Sequence, residues 1–207
     1  MRVRKTDKYR NFSALEAAEP KNAWRIRKRV RDPRVLIIAP HGGRIEPGTS
    51  PLAARIAGNA YSLYQFEGLK PLGQNGDLHI TSHHFDQQDA VAMAEKSSIT
   101  LGIHGCNGVC AIFVGGLDTA LRDDLTIALV QAGFRATSRG HNFPAAEPNN
   151  VCNRGSRGGA QLEITPDLRM APAERARIAR VAREVLAKHL TALKRAAAQA
   201  PVDRGAR

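Results

Sequence analysis

Two histidines of this chain stand at positions where α/β proteins commonly bind ligands. His41 comes two residues after the aliphatic run VLIIA (35–39), and His104 directly follows SITLGI (98–103); a glycine follows each histidine. Ligands of open α/β sheets bind beyond the carboxyl ends of the strands. If the two strands are neighbours, the imidazoles converge. Glu46 lies five residues past His41 in APHGGRIEPGTSPLA (39–53). On a helix of ~3.6 residues per turn that spacing would separate the side chains by about 140°. Gly42, Gly43, Pro47 and Gly48 instead favour a loop, which can fold the carboxylate back beside the imidazole. Two histidines and one carboxylate form a three-ligand set for catalytic zinc, with a fourth position left for water. Taken singly, each histidine reads equally as a hydrogen-bonded structural residue, and the glutamate as a solvated one.

Glu163 lies in GAQLEIT. Ala160, Leu162 and Ile164 fall on one face of a strand there, and Gln161 and Glu163 on the other. It is either a solvent-facing strand residue or a carboxylate held on a rigid element to move a proton. Asn153 and Arg154 sit among glycines in NNVCNRGSRGG (149–159), as a carboxylate clamp or as a solvated loop. Cys106, Cys110 and Cys152 are odd in number, which argues against a disulfide framework. CNGVC has no second Cys/His pair at finger-like distance, so a structural zinc knuckle is not expected.

The elements that must position these residues follow from pattern. AWRIRKRV alternates apolar and basic residues, as an exposed strand does. VLIIA, YSLYQFEG, LHITS, SITLGI, AIFVGG, FRATS and AQLEI read as further strands. Helices are expected after Thr49, Ser50 and Pro51, after Asp86, and from Asp118 to Gly133. A long helix opens at Pro172, with Ile178, Val181, Val185 and Leu186 at helical spacing; the last turns, AAAQAPVDRGAR, are expected to fray. Strands alternating with helices predict an α/β fold, a single domain with a mixed, mostly parallel sheet flanked by helices. The 207 residues suffice for one core.

The net charge of +12 comes entirely from the two ends. Residues 1–34 carry +8, residues 169–207 carry +7, and the middle carries −3. The acidic middle, the 5% aromatic content and the lack of a groove-reading or base-stacking motif make nucleic acid an unlikely partner. A basic nucleic-acid-binding protein, tied to phage replication, is the contrasting reading. No apolar run of about 20 residues spans a membrane, and no signal peptide is recognisable, so the expected compartment is the cytoplasm, with release by lysis if the chain is phage-encoded.

Six motifs in order, APHGGRIEPGTSPLAARIAG, YSLYQFEGLK, LHITSHHFD, IHGCNG, VGGLDTAL and PNNVCNRGSRGGAQLEI, resemble the phage and bacterial poly-γ-glutamate hydrolase family. DKYRNFSALE near the N-terminus resembles it too, and the resemblance covers most of residues 7 to 170. It implies a catalytic domain over 7–170, with 171–207 as a basic C-terminal helix and tail. It also implies a zinc carboxypeptidase-like fold and a zinc-dependent amidohydrolase acting on γ-glutamyl bonds. The implied metal ligands are His41, Glu46 and His104, and the implied general base is Glu163. Asn153 and Arg154 correspond to a substrate-binding pair. The implied substrate is an anionic polyglutamate polymer, or a small acidic amide such as an N-acyl amino acid. Two departures stand out. Arg44 takes a place expected for a smaller residue, where it narrows the site or contacts an anion. His83 and His84 add imidazoles next to the LHITS segment, either of which could join the metal site.

Overall fold

The computed structural model describes residues 7–199. Seven strands form one sheet: β1 (Trp24–Arg29), β2 (Asp32–Gly43), β3 (Tyr61–Gly68), β4 (Ile99–Gly105), β5 (Ile112–Gly115), β6 (Ala136–Thr137) and β7 (Ala160–Ile164). Their spatial order is β1-β3-β2-β4-β7-β5-β6. β3, β2, β4 and β7 run parallel as the central four. β1 joins β3 antiparallel, and β5 joins β7 antiparallel while pairing parallel with β6. The mixed, mostly parallel sheet expected from the sequence is the one observed.

Helices cover both faces. α2 (Thr49–Ala57), α4 (Thr119–Gln131) and α6 (Pro172–Gln199) share a core with Val35, Ile37 and Ala39 of β2 and Leu101 and Ile103 of β4. α1 (Phe12–Ala18) and α3 (Gln88–Glu95) pack on the other face with Leu36, Ile38, Tyr64 and Phe66. Period-two alternation thus feeds each strand into two cores, so the central strands read as continuous apolar runs. α6 buries Ile178, Val181, Val185, Leu186 and Leu190 in the first core, at about 1.5–3 kcal/mol per fully buried aliphatic side chain. The long helix therefore belongs to the core it covers. The tail beyond Gln199, part of the stretch expected to fray, lies outside the described residues. No helix among the described residues is long and apolar enough to cross a membrane.

Three local expectations are corrected. LHITS is not a strand: Asn75–Leu78 and Ser82–His84 are single 3-10 turns, and Leu78, Ile80 and Phe85 are buried between α1 and the sheet. Its alternation reflects pins into that core, not ladder pairing. Asp86 does not cap α3. Gln87 does, accepting from the Ala90 N–H, while Asp86 accepts from the Phe12 and Ser13 N–H groups at the start of α1. α2 begins behind Gly48, whose φ of 98° favours glycine, and Thr49 instead donates its hydroxyl to the carbonyls of His41 and Glu46. Asp118 and Gly133 bound α4 as read from the sequence.

Candidate metal centre

Both histidines lie inside strands, because β2 runs to Gly43 and β4 to Gly105. β2 and β4 are neighbours, so the convergence asked of His41 and His104 is met. A bulge completes it. β2 pairs with β3 as Ala39↔Gln65 and then Gly42↔Glu67, three residues advancing against two. Strict alternation from Val35, Ile37 and Ala39 would send His41 into the α2/α6 core. The extra residue turns it to the α1/α3 face, where His104 also points. Bulges re-aim side chains in this way, and here the effect is to bring two imidazoles to one side of the sheet.

Glu46 is brought back by a tight turn. Its N–H donates to the His41 carbonyl at 3.0 Å, and the Ile45 N–H donates to the Gly42 carbonyl at 3.3 Å. Gly43 has φ 64°, and a Cβ there would meet the Gly68 backbone. The Glu46 carboxylate then sits with Oε1 3.1 Å from His41 Nδ1 and with Oε2 accepting from the Gly105 N–H at 2.7 Å. His104 Nδ1 lies 3.1 Å from His41 Nδ1.

The tautomers follow. His41 Nε2 faces the Ile80 carbonyl at 2.7 Å and must donate to it, so in the neutral ring Nδ1 carries the lone pair. His104 Nε2 is 3.5 Å from the Ser82 hydroxyl. Nitrogen lone pairs and a carboxylate oxygen are thereby gathered in a buried space, within 4.8 Å of one another. One proton between the two Nδ1 atoms cannot also serve the carboxylate. A cation satisfies all three, and two imidazoles with one carboxylate are borderline-soft donors that suit a divalent transition metal or zinc. The backbone partners of His41 and Glu46 supply the outer hydrogen bonds that fix such ligands.

The electrostatics favour the metal-binding form of two of the three ligands, and on His41 they hold a proton that a metal would displace. Burial lowers the His41 pKa, but the charge of Glu46 and the bonds to Glu46 and Ile80 outweigh it and raise it above the usual imidazole value. Burial first, and His41 second, push His104 down to about 3. Burial would raise Glu46, yet the neighbouring His41 and then His104 hold it at about 2. His104 is thus neutral and Glu46 ionised at neutral pH, the forms that bind metal.

Glu163 stands beside this cluster. β7 pairs with β4 in parallel register His104↔Glu163, so the two side chains leave the same face on adjacent strands, about 4.8 Å apart at the backbone. Its Oε1 accepts from the Gln161 amide at 3.2 Å. Gln161 and Glu163 share the face opposite Ala160, Leu162 and Ile164, as their spacing predicts.

The other expected residues have partners of their own. Asn153 is buried and its amide is spent on backbone: Oδ1 accepts from the Leu117 N–H, and Nδ2 donates to the carbonyls of Ala145 and Glu147. It clasps two loops. Arg154 Nη1 lies 4.0 Å from Glu95 at the end of α3, and its Nε is buried without a hydrogen-bond partner. Arg44 is exposed and donates to the carbonyls of Leu69 and Lys70. His83 and His84 stack edge-on with each other at 4.1 Å and are not among the three clustered ligands.

Sequence reasoning missed His79 and Asp7. His79 stacks on His41 with ring centroids 4.1 Å apart, and its Nε2 is 3.8 Å from Glu46 Oε1. Its Nδ1 is 2.7 Å from Asp7 Oδ1, and Asp7 Oδ2 accepts from the Thr81 N–H at 2.6 Å. Burial would raise the Asp7 pKa, but the bonds to His79 and Thr81 hold it below the usual carboxylate range. Seventy-two residues separate this pair, so no local spacing announces it.

Comparison with known proteins gives one consistent picture. The profile of the poly-gamma-glutamate hydrolase family matches residues 9–192. The SPbeta prophage-derived UPF0714 protein YoqZ of Bacillus subtilis (strain 168) is 40% identical over 167 residues, which cover 79% of this chain and 60% of that relative. The chain thus spans somewhat less than two thirds of the length of that curated relative. A solved bacteriophage poly-gamma-glutamate hydrolase superposes with a TM-score of 0.85 at 35% identity, covering 90% of this chain and 100% of that one. A zinc-free structure of YndL, a Bacillus subtilis protein, superposes with a TM-score of 0.77 at 33% identity, covering 89% and 98%.

Proposed function

The chain belongs to the poly-gamma-glutamate hydrolase family, and from that premise we propose that it is a zinc-dependent amidohydrolase that cleaves γ-glutamyl bonds. The observation that carries the reading is the convergence of His41 Nδ1, Glu46 Oε1 and His104 Nδ1 beside Glu163 on the adjoining strand. His41, Glu46 and His104 would hold the metal. Zinc is favoured over other cations by the donor set, and the zinc-free description of the YndL structure accords with it.

Bound there, the ion supplies Lewis acidity toward an amide carbonyl and toward water. The chain supplies the rest. His41 is locked in one tautomer by the Ile80 carbonyl, and the Gly105 N–H fixes the orientation of Glu46. Glu163 accepts a proton at its carboxylate as water attacks the carbonyl, then delivers it to the leaving nitrogen. Its place on a strand, in register with His104, keeps that carboxylate at a fixed distance from the reaction. The substrate of this reading is a polyglutamate-type polymer.

The test is turnover of poly-γ-glutamate by zinc-loaded wild type and by Glu163→Gln. The variant should keep about one zinc per chain and lose roughly 10²–10⁴-fold in kcat, the range that general acid–base catalysis contributes. Equal rates in the two proteins would remove Glu163 from the chemistry. A chain-length series on the same protein separates polymer from small amide: rates rising with length favour the polymer, and rates highest on N-acyl amino acids reverse that choice.

A further inference from the structure

Arg44 donates to the carbonyls of Leu69 and Lys70 and Arg154 reaches toward Glu95, while a further buried guanidinium lies against Gly105, the residue that follows His104. Arg169 sits in α5 (Pro166–Met170) and is only 9% exposed. Its Nε is buried without a hydrogen-bond partner, and among the described residues its guanidinium forms no ion pair. A buried cation without an anion is strongly disfavoured by lost hydration, so its retention calls for a reason.

The chain makes room for this side chain. A Cβ on Gly105 would overlap Arg169 Nε and approach Cζ to 2.9 Å. A Cβ on Gly48 would overlap the Arg169 carbonyl and lie 3.3 Å from Cγ. The backbone of Arg169 is pinned as well: its N–H donates to the Thr165 carbonyl at 3.1 Å, and its carbonyl accepts from Arg175 Nη1 at 2.8 Å. The guanidinium therefore rests on the residue that follows His104 and whose N–H holds Glu46 Oε2. Its stem crosses Gly48 at the start of α2, where the helix dipole is positive and a cation is unwelcome.

We propose that Arg169 receives a carboxylate of the substrate next to the metal centre and so selects for acidic amides. The inference rests on the proposed function. A γ-linked glutamate chain carries one free α-carboxylate per residue, and the planar fork of a guanidinium matches that group with two parallel hydrogen bonds. Arg169 would thus supply a carboxylate clamp of the kind that the resemblance implied for Arg154.

The test uses zinc-loaded protein in a Glu163→Gln background, so that ligand is bound and not consumed. Two probes are titrated by calorimetry: a γ-glutamyl oligomer with free α-carboxylates, and the same oligomer with every α-carboxyl converted to the carboxamide. Adding Arg169→Met should weaken binding of the acidic oligomer about 30- to 100-fold, the scale of truncating one partner of a buried charge pair, and change binding of the amide only slightly. Arg169→Lys, which keeps the charge and loses the fork, should recover part of the loss. Zinc content should stay near one per chain in both. Equal weakening of the two probes, no weakening of either, or loss of zinc from Arg169→Met would overturn the assignment, the last by making Arg169 a support for Glu46. An acidic oligomer that the Arg169-containing protein fails to bind, and that zinc-loaded wild type fails to cleave, would sink the proposed function together with this inference. Cleavage by wild type, with binding indifferent to Arg169, would sink this inference alone.

Discussion

Glu46→Gln is the sharpest probe of the metal centre, because it changes one ligand and keeps the turn that delivers it. The side chain keeps its length. Its carbonyl oxygen can still accept from the Gly105 N–H, now at 2.7 Å from Oε2, and the turn itself is closed by the backbone bond from the Glu46 N–H to the His41 carbonyl. The atom facing His41 Nδ1 at 3.1 Å becomes an amide nitrogen, a donor with no lone pair for a metal. Tetrahedral zinc sites with four protein ligands are worth about 10–16 kcal/mol in small peptides, so one ligand carries roughly 3–4 kcal/mol. At about 1.4 kcal/mol per factor of ten, the dissociation constant should rise ~10²–10³-fold. Competition against a chromophoric chelator measures it, with elemental analysis for stoichiometry. Thermal unfolding of the metal-free proteins checks that the fold is kept, with an expected change within about 1 kcal/mol. Zinc affinity within tenfold of wild type, in a folded variant, would refute the ligand assignment of Glu46.

Two further outcomes follow from the packing and the charges. Leu186 is fully buried where α6 meets the first core, and Leu186→Ala should cost about 2–5 kcal/mol in a denaturant melt, against almost nothing if α6 merely rests on the surface. Glu19 shows the pH dependence. Burial would raise its pKa, but Lys70, Tyr9 and Lys8 around its carboxylate hold it at about 2, below the ordinary 4.5. A depressed folded pKa gives stability that is present above the unfolded value and lost as pH falls through the folded one. Glu19→Gln should therefore be less stable than wild type near neutrality, by about 2 kcal/mol, and the gap should close between pH 4.5 and about 2; a gap independent of pH would contradict the ion pair.

The chemistry-bearing residues were legible because strand ends and glycine-rich turns are local properties. VLIIA and SITLGI announce buried strands, the Gly-Gly and Pro-Gly steps announce the turn that returns Glu46, and the two-faced pattern of AQLEI places Glu163 opposite the apolar core. Each depends on neighbours within a few residues, where backbone preference and hydrophobic period act. The errors also have local causes. LHITS alternates like a strand, yet its apolar residues are anchors for a loop that lends the Ile80 carbonyl to His41 and Ser82 to His104. Asn153 carries the right functional group for a clamp, and the structure shows its amide bonded to backbone, which no local spacing announces.

The sequence by itself thus determined most of the strands and the larger helices, the two-layer covering of the sheet and the candidate side chains that converge, since all three follow from residue type and short-range period. Only the tertiary structure decided which strands became neighbours and, through one extra residue between Ala39 and Gly42, which face His41 turned to. It alone joined Asp7 to His79 across 72 residues, and set Arg169 over Gly105. The physical reason is the same in each case. A strand's side-chain direction inverts with a single inserted residue, and a contact between distant segments is fixed by packing energy summed over the whole core, which no local window contains.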